Sequence, residues 1–281
     1  MNDYSREKSM NDGSTVTNLN DFRNRRVNQR KFIVAVVDEP GTGALPFLAV
    51  TEDGTEYWCK DPQTTPHQKE SVVNEVLVSV IGQAMGASVP NWAILEVPAA
   101  WDGRRLMGQT VFRSGPVFAS ENIPNAALIR PDGPLPHVDR DGNVNHIPKL
   151  YALWFLCNAE DIQVLYQSSS DMRIWSIDHG LWFGSHEKMW GKGDPTQLAG
   201  RPQTPQLKDP ISEIHWDKAI ESVRSLGDEL IQECVNAVPQ EWGVEPLKIE
   251  ELARYALGRK NYTIEELSAL RESSRNQQKR R

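Results

Sequence analysis

The sequence predicts an α+β chain in two parts, an antiparallel sheet with one helix followed by a mainly helical region. Three observations carry this. Short runs rich in β-branched and aromatic residues, separated by glycine-bearing turns, fill residues 32–60. A single stretch of helical periodicity follows, with Val72, Val73, Val76, Leu77, Val80, Ile81 and Ala84 on one face. Helical patterns then dominate from Ile211 onward, after a change of composition at Ser114.

Each element has its own signal. Residues 1–29 are rich in Asn, Ser, Asp and Arg and are expected to be disordered, since they bury too little apolar surface to offset ordering entropy. Phe32–Val37, Leu45–Val50 and Glu56–Lys60 read as strands. Asp38 to Gly43 forms the first turn, and Asp53-Gly54 is a hairpin signal. Gly86 ends the helix. Ala93–Val97 and Met107–Arg113 complete a five-stranded sheet, giving a first unit over 30–113. The second unit spans 114–268. In it, Leu150–Asn158 is an apolar helix, and a hairpin pairs Val164-Leu165-Tyr166 with Ile174-Trp175-Ser176-Ile177. Residues 115–148 and 184–210 read as long loops. Residues 216–237 and 247–257 are periodic, and Thr263-Ile264-Glu265-Glu266 reads as a capping box opening a last helix. Residues 269–281 are expected to be a disordered basic tail.

Composition excludes several classes. With 31 basic and 38 acidic residues the net charge is −7, which gives no strong nucleic-acid signal. No apolar run reaches the length that spans a bilayer, and no apolar signal core stands at the start, so a cytoplasmic protein without membrane partners is expected. Cys59, Cys157 and Cys234 are far apart, each among apolar neighbours, and read as buried thiols in a reducing compartment.

The stretch that organises the chain is Arg173-Ile174-Trp175-Ser176-Ile177-Asp178-His179-Gly180. A strand fixes the Asp178 carboxylate, and Gly180 lets the chain turn away directly afterwards. Such an acid holds a metal ion or merely caps a turn. Upstream, a strand ends at Lys60, the helix carries Glu75, and a loop carries Asn158-Ala159-Glu160-Asp161-Ile162-Gln163. Phosphoryl transfer needs a lysine on phosphates, an acid that orients it, an acid near the acceptor, and oxygen ligands for magnesium. Lys60 and Glu75 are equally ordinary strand-end and helix-surface residues if taken singly. Gly41-Thr42-Gly43 fits a phosphate-covering turn or a plain hairpin. His179 is expected to pack or hydrogen-bond, and Trp154, Trp175 and Trp182 to lie in the core.

The order of these pieces resembles the HipA-like kinases. The matching stretches are Tyr57-Trp58-Cys59-Lys60, Asn74-Glu75-Val76-Leu77 and Gly86-Ala87-Ser88-Val89-Pro90. Downstream they are Ala159-Glu160-Asp161-Ile162-Gln163-Val164-Leu165-Tyr166, Trp175 to Gly180, and Val238 to Gly243, so the resemblance covers about residues 32–260. It implies a two-lobed protein-kinase-like fold with ATP between the lobes. It implies nucleotide contacts from Lys60, held by Glu75, magnesium ligation by Asp178 and Gln163, and a catalytic Asp161 facing the acceptor hydroxyl. The implied activity is transfer from MgATP to a protein Ser or Thr. The alternatives are a nucleotide-binding pseudokinase acting as a regulatory module, and a small-molecule kinase. The acceptor is unknown, and the loops at 115–148 and 184–210 would form its site. The chain departs from the commoner pattern of Asp, four residues, then Asn before a short strand. Gln163 stands at the Asn position and Asn158 at the Asp position. Either Asp161 serves over a shortened loop, or the acid is missing.

Overall fold

The computed structural model describes residues 30–41, 43, 45–64, 68–129, 133–185, 190 and 202–280. The expectation of disorder over 1–29 therefore lies outside the described residues, as does most of the loop at 184–210.

Five strands close into a barrel. They are β1 (Lys31–Asp38), β2 (Phe47–Thr51), β3 (Glu56–Lys60), β4 (Trp92–Val97) and β5 (Gly115–Glu121), in the order β1-β2-β3-β5-β4. Four of the five pairings are antiparallel. The ring closes through one parallel pair, Lys31 with Leu95 and Phe32 with Glu96. This corrects the expectation of an antiparallel sheet, since one pairing is parallel and the sheet closes on itself. Parallel neighbours need a long crossover, and helix α1 (Gln68–Ala84) supplies it between β3 and β4. The alternation of β2 and β3 sends Phe47, Ala49, Tyr57 and Cys59 inward, where they meet Ile33, Leu95, Val97 and Phe112.

Two boundaries move. Residues 107–113, expected as a strand, are irregular, and the fifth strand is β5. Because β5 pairs with both β3 and β4, the sheet unit continues beyond residue 113 to Glu121. Pro116 inside β5 hid the strand from the sequence reading, which took 115–148 as loop. The tail is also different. Residues 269–280 form the second half of α6 (Lys260–Arg280), tied to α3 (Glu213–Arg224) by Arg271–Asp217 and Arg275–Glu213. Thr263, expected to cap that helix, lies inside it with its N–H on the carbonyl of Arg259.

The remaining chain holds β6 (Ala126–Ile129), α2 (Asn143–Leu156), β7 (Gln163–Gln167), β8 (Arg173–Ile177), α4 (Glu229–Ala237) and α5 (Pro246–Gly258). Strands β6, β7 and β8 make a second, three-stranded antiparallel sheet. The periodic run expected over 216–237 is two helices, divided at Leu226-Gly227. Helix α2 starts at Asn143, earlier than its apolar part, and accommodates Pro148 within it.

One buried cluster joins α1, α2, the small sheet and the C-terminal helices, with Trp154, Trp182 and Trp216 fully enclosed. The outer edge of β8 is closed by side chains rather than by another strand. Asn143 Oδ1 accepts from the N–H of Ile174 at 3.0 Å, and Ser88 Oγ donates to the carbonyl of Ile174 at 2.6 Å. The carbonyl of Ser88 accepts from the N–H of Ser176 at 2.9 Å. An open edge would otherwise leave these groups unpaired. Ser88 stands just past the end of α1, so the strand leading to Asp178 is held directly from that helix.

Ser88→Ala removes one donor from a buried carbonyl and should lower stability by about 1–3 kcal/mol, read as a fall in the urea midpoint at unchanged m-value.

Candidate active site

Lys60 is the last residue of β3, and its register opposite Phe118 of β5 fixes the direction of the side chain. Its ammonium pairs with Glu75 Oε1 from α1 and lies 2.6 Å from Asp178 Oδ1, just past β8. Three elements remote in sequence thus converge on one cation. Glu75 is buried with only 4% of its side chain exposed, whereas Asp178 is 42% exposed. The pair has one dry side and one wet side.

The electrostatics follow from that asymmetry. Burial alone would raise the Glu75 carboxyl. The ammonium of Lys60, with His179 assisting, outweighs burial and holds it down at about 2. Burial likewise opposes the charge on Lys60, and Asp178 and Glu75 reverse this, pushing its pKa above the ordinary lysine range. Both groups stay ionised because they are together.

Asp178 is bonded on its other oxygen as well. Gln163, the first residue of β7, donates Nε2–H to Asp178 Oδ2 at 2.9 Å and to Asp161 Oδ2 at 3.1 Å. Gln163 and Ile177 are register partners across β7 and β8, which brings that amide beside the next residue, Asp178. Asn158, Asp161 and Asp178 all take left-handed backbone, with φ of +46°, +47° and +58°. Asn and Asp tolerate this region better than other residues with a Cβ, at some cost in strain. The five residues Lys60, Glu75, Asp161, Gln163 and Asp178 therefore form one linked cluster.

The sequence reading missed part of the support. Asn74 is fully buried, and its Nδ2 donates to the carbonyls of Gly180 and Trp182 at 2.8 and 3.1 Å and to Ser185 Oγ at 3.2 Å. Its Oδ1 accepts from Trp190 Nε1 at 3.0 Å. The residue beside Glu75 thus fastens α1 to the chain following Asp178. A carbon added at Gly180 would run into Ser71 Oγ and come within 3.6 Å of Glu75 Oε1, so the chain passes close to α1 at this glycine. His179 packs as expected, with Nδ1 3.4 Å from Glu75 Oε2, Nε2 3.2 Å from Ser176 Oγ, and its ring against Trp182. The signal available in sequence was the pairing Asn74-Glu75, flanked by the apolar pairs Val72-Val73 and Val76-Leu77.

Oxygen donors are present for a hard cation. The Asp178 carboxylate is accessible, and a half-turn of the Gln163 amide would present Oε1 in place of Nε2. Among the described residues no group of three or more His, Cys, Asp or Glu could hold a metal ion. A cation here would draw its remaining ligands from phosphate and water, as magnesium commonly does.

Similarity to known proteins reaches the first three of the matching stretches. Residues 33–140 match the model of the HipA-like kinase family. That range contains Lys60, Glu75 and the Ser88 loop, so the HipA-like resemblance is shown through the first of the two units. Among curated proteins none matches the chain. Solved structures with a similar path include the Golgi casein kinase, at 10% identity and TM-score 0.49, over 90% of this chain and 77% of that one. A second is the Helicobacter pylori proinflammatory kinase CtkA, at 12% identity and TM-score 0.47, over 83% of this chain and 95% of that one. A third is the Golgi casein kinase with Mn/ADP bound, at 11% identity and TM-score 0.47, over 87% and 75%.

The depressed pKa of Glu75 gives a pH signature. Its contribution to stability is complete above its ordinary value of 4.5 and is lost as pH falls toward about 2. Urea midpoints measured from pH 5 to pH 2 should therefore fall less steeply for Glu75→Gln than for the wild type.

Proposed function

We propose that this chain is a HipA-like phosphotransferase that moves a phosphoryl group from MgATP to a Ser or Thr hydroxyl of a protein. The observation that carries the reading is the Lys60 ammonium held between buried Glu75 and exposed Asp178. A lysine so fixed and so fully charged suits phosphate oxygens, and the half-open Asp178 suits a metal beside them. The family match over 33–140 supports the same reading. In this view the barrel unit, extended through β5, is the nucleotide lobe, and ATP lies between it and the helical unit. The three buried free thiols are in keeping with a reducing, cytoplasmic setting. No helix among the described residues is long and apolar enough to cross a membrane.

The roles divide by position. Bound magnesium would neutralise the phosphate oxygens and set their orientation. Glu75 keeps Lys60 charged and aimed, so the ammonium passes from Asp178 to the phosphates without leaving its dry anchor. Asp178 and the turned amide of Gln163 offer oxygens to the cation. Asp161, exposed at the end of its loop, accepts the proton of the acceptor hydroxyl as the new oxygen–phosphorus bond forms. The bond to the nucleotide breaks, and ADP leaves with that electron pair. Positioning and charge neutralisation supply most of the acceleration in such a transfer.

A second reading is favoured by one observation. Asp161 is hydrogen-bonded to Gln163 within a loop three residues shorter at the acid than the commoner spacing. If that bond persists with nucleotide present, the chain binds MgATP without turnover, as a pseudokinase.

Two substitutions separate the readings. Asp178→Ala should abolish magnesium-dependent nucleotide binding in a titration, with the protein still folded. Asp161→Asn should bind MgATP like the wild type while radiolabelled phosphate transfer falls at least about a hundredfold, the usual scale for a lost general base. A wild type that binds MgATP but labels neither itself, nor a protein mixture, nor small hydroxyl acceptors would favour the pseudokinase. Wild-type affinity in Asp178→Ala would overturn both.

A further inference from the structure

A separate cleft of about 520 Å³ opens where the C-terminal end of α1 meets the first turns of α2 and one face of α3. Its walls carry Gly86, Asn145, His146, Lys149 and Lys218, with Glu221 and two serines on the α3 side. None of these belongs to the Lys60 cluster. Lys149 is half-buried on α2 and reaches over Gly86, where an added carbon would meet its Nζ at 3.0 Å. Gly86 has φ +66°, a backbone conformation that favours glycine.

The charge in this cleft is unbalanced. Neither Lys149 nor Lys218 has an ion pair or side-chain hydrogen bond among the described residues. Burial first, then the neighbouring Lys218, lowers the Lys149 pKa, which is the mark of a cation without a counter-charge. Burial, then Arg173, lowers His146, and burial, then Lys218, lowers His215. Two acids stand nearby, and neither pairs with Lys149 or Lys218 among the described residues. Asp141 favours the charge on His146 and accepts from Ser170 Oγ at 2.9 Å. Glu221 faces Arg224 at 3.8 Å. His215 Nδ1 lies 2.8 Å from Asn145 Oδ1, which leaves the Asn145 amide nitrogen to donate elsewhere. The serine hydroxyls are spent on their own helix, Ser222 on the carbonyl of Ala219 and Ser225 on that of Ser222.

We propose that this cleft binds a phosphate monoester. Such a group carries roughly two negative charges at neutral pH, matching the two unpaired ammonium groups. Its oxygens accept from Lys149, Lys218 and the Asn145 amide together, and charge-assisted bonds of this type are the strong ones. A nucleic-acid backbone is a poorer match, because two lysines in a small cleft do not make the extended basic stripe that tracks successive phosphates. The ester belongs either to a phosphorylated side chain or to a phosphorylated metabolite, which present the same chemistry to the cleft.

The test is thermal unfolding of the full chain in inorganic phosphate against chloride at equal ionic strength, since a ligand of the native state raises apparent stability. The wild type and Lys60→Met should both show a saturable rise in midpoint. The double variant Lys149→Gln/Lys218→Gln should need at least about tenfold more phosphate for the same rise, which corresponds to the loss of charge-assisted contacts. In chloride alone its midpoint should be no lower than that of the wild type, because a repulsion has been removed, and this certifies that it folds. A phosphoserine peptide and a sugar phosphate are then compared, and the tighter of the two names the source. Absence of a rise in the wild type, an equal rise in the double variant, or a rise lost in Lys60→Met would overturn the proposal.

Discussion

The arrangement depends on a single cation, the Lys60 ammonium, being shared by one buried and one exposed carboxylate. Burial opposes the charge on Glu75, and Lys60 beside it, with His179 assisting, keeps it ionised. The cost of taking both charges from water is recovered only with close geometry. That requirement sets the distance between β3 and α1, and through Asp178 the distance from both to β8. The cluster is therefore a constraint on three elements at once. Truncating either member leaves a stranded buried charge, which is far costlier than removing the pair together.

Helix α1 is where these constraints meet. It carries apolar residues toward the core cluster on nearly every turn, including Val72, Val73, Val76, Leu77 and Ile81, all essentially inaccessible. A helix so enclosed cannot pivot without opening its packing. Its polar residues are then used as fasteners. Ser71 closes against Gly180, Asn74 collects the carbonyls of Gly180 and Trp182, and Glu75 collects Lys60 and His179. Past its end, Ser88 holds β8. Apart from the pairing of Glu75 with Lys60, these contacts all run to the stretch from Ile174 to Trp182. The position of Asp178 is consequently a property of α1, though the two are a hundred residues apart.

Much of this was legible in sequence, and the exceptions have physical reasons. Strands Glu56–Lys60 and the Asp178 hairpin were visible because both alternate and end at turn residues. Lys60 and Glu75 could be paired on paper through the motif order. The barrel closure was not legible, since the parallel contact of β1 with β4 involves only two residue pairs and leaves no pattern. β5 was hidden by Pro116, a residue that ordinarily argues against a strand interior. Pro116 pairs with Glu96 at the start of β5, and its carbonyl accepts from Trp242 Nε1 at 2.8 Å. The helical tail was hidden by its polarity: α6 is held late in its course by ion pairs to α3 rather than by an apolar face. Asn74 was quoted in a motif, but its role depends on contacts more than a hundred residues away.

The energetic logic of the exposed half of the site is the reverse of the buried half. Asp178 sits in left-handed backbone, largely wet, with one oxygen on Lys60 and the other on Gln163. An exposed ion pair contributes little to stability, and the backbone conformation costs something. What the acid contributes to folding is support for the buried Lys60 charge, which it shares with Glu75. The left-handed turn aims the carboxylate back toward Lys60 and Gln163 while Gly180 and His179 recede into the core, so the strain determines direction. Both bonds of Asp178 are also replaceable. An ammonium that retains Glu75 could exchange Asp178 for another anion, and an amide that turns gives up its N–H contacts to Asp178 and Asp161 and presents an oxygen on the same side. The cluster is rigid where charge is dry and exchangeable where charge is wet, a division that suits a site whose ligands arrive as a cation and an anion together.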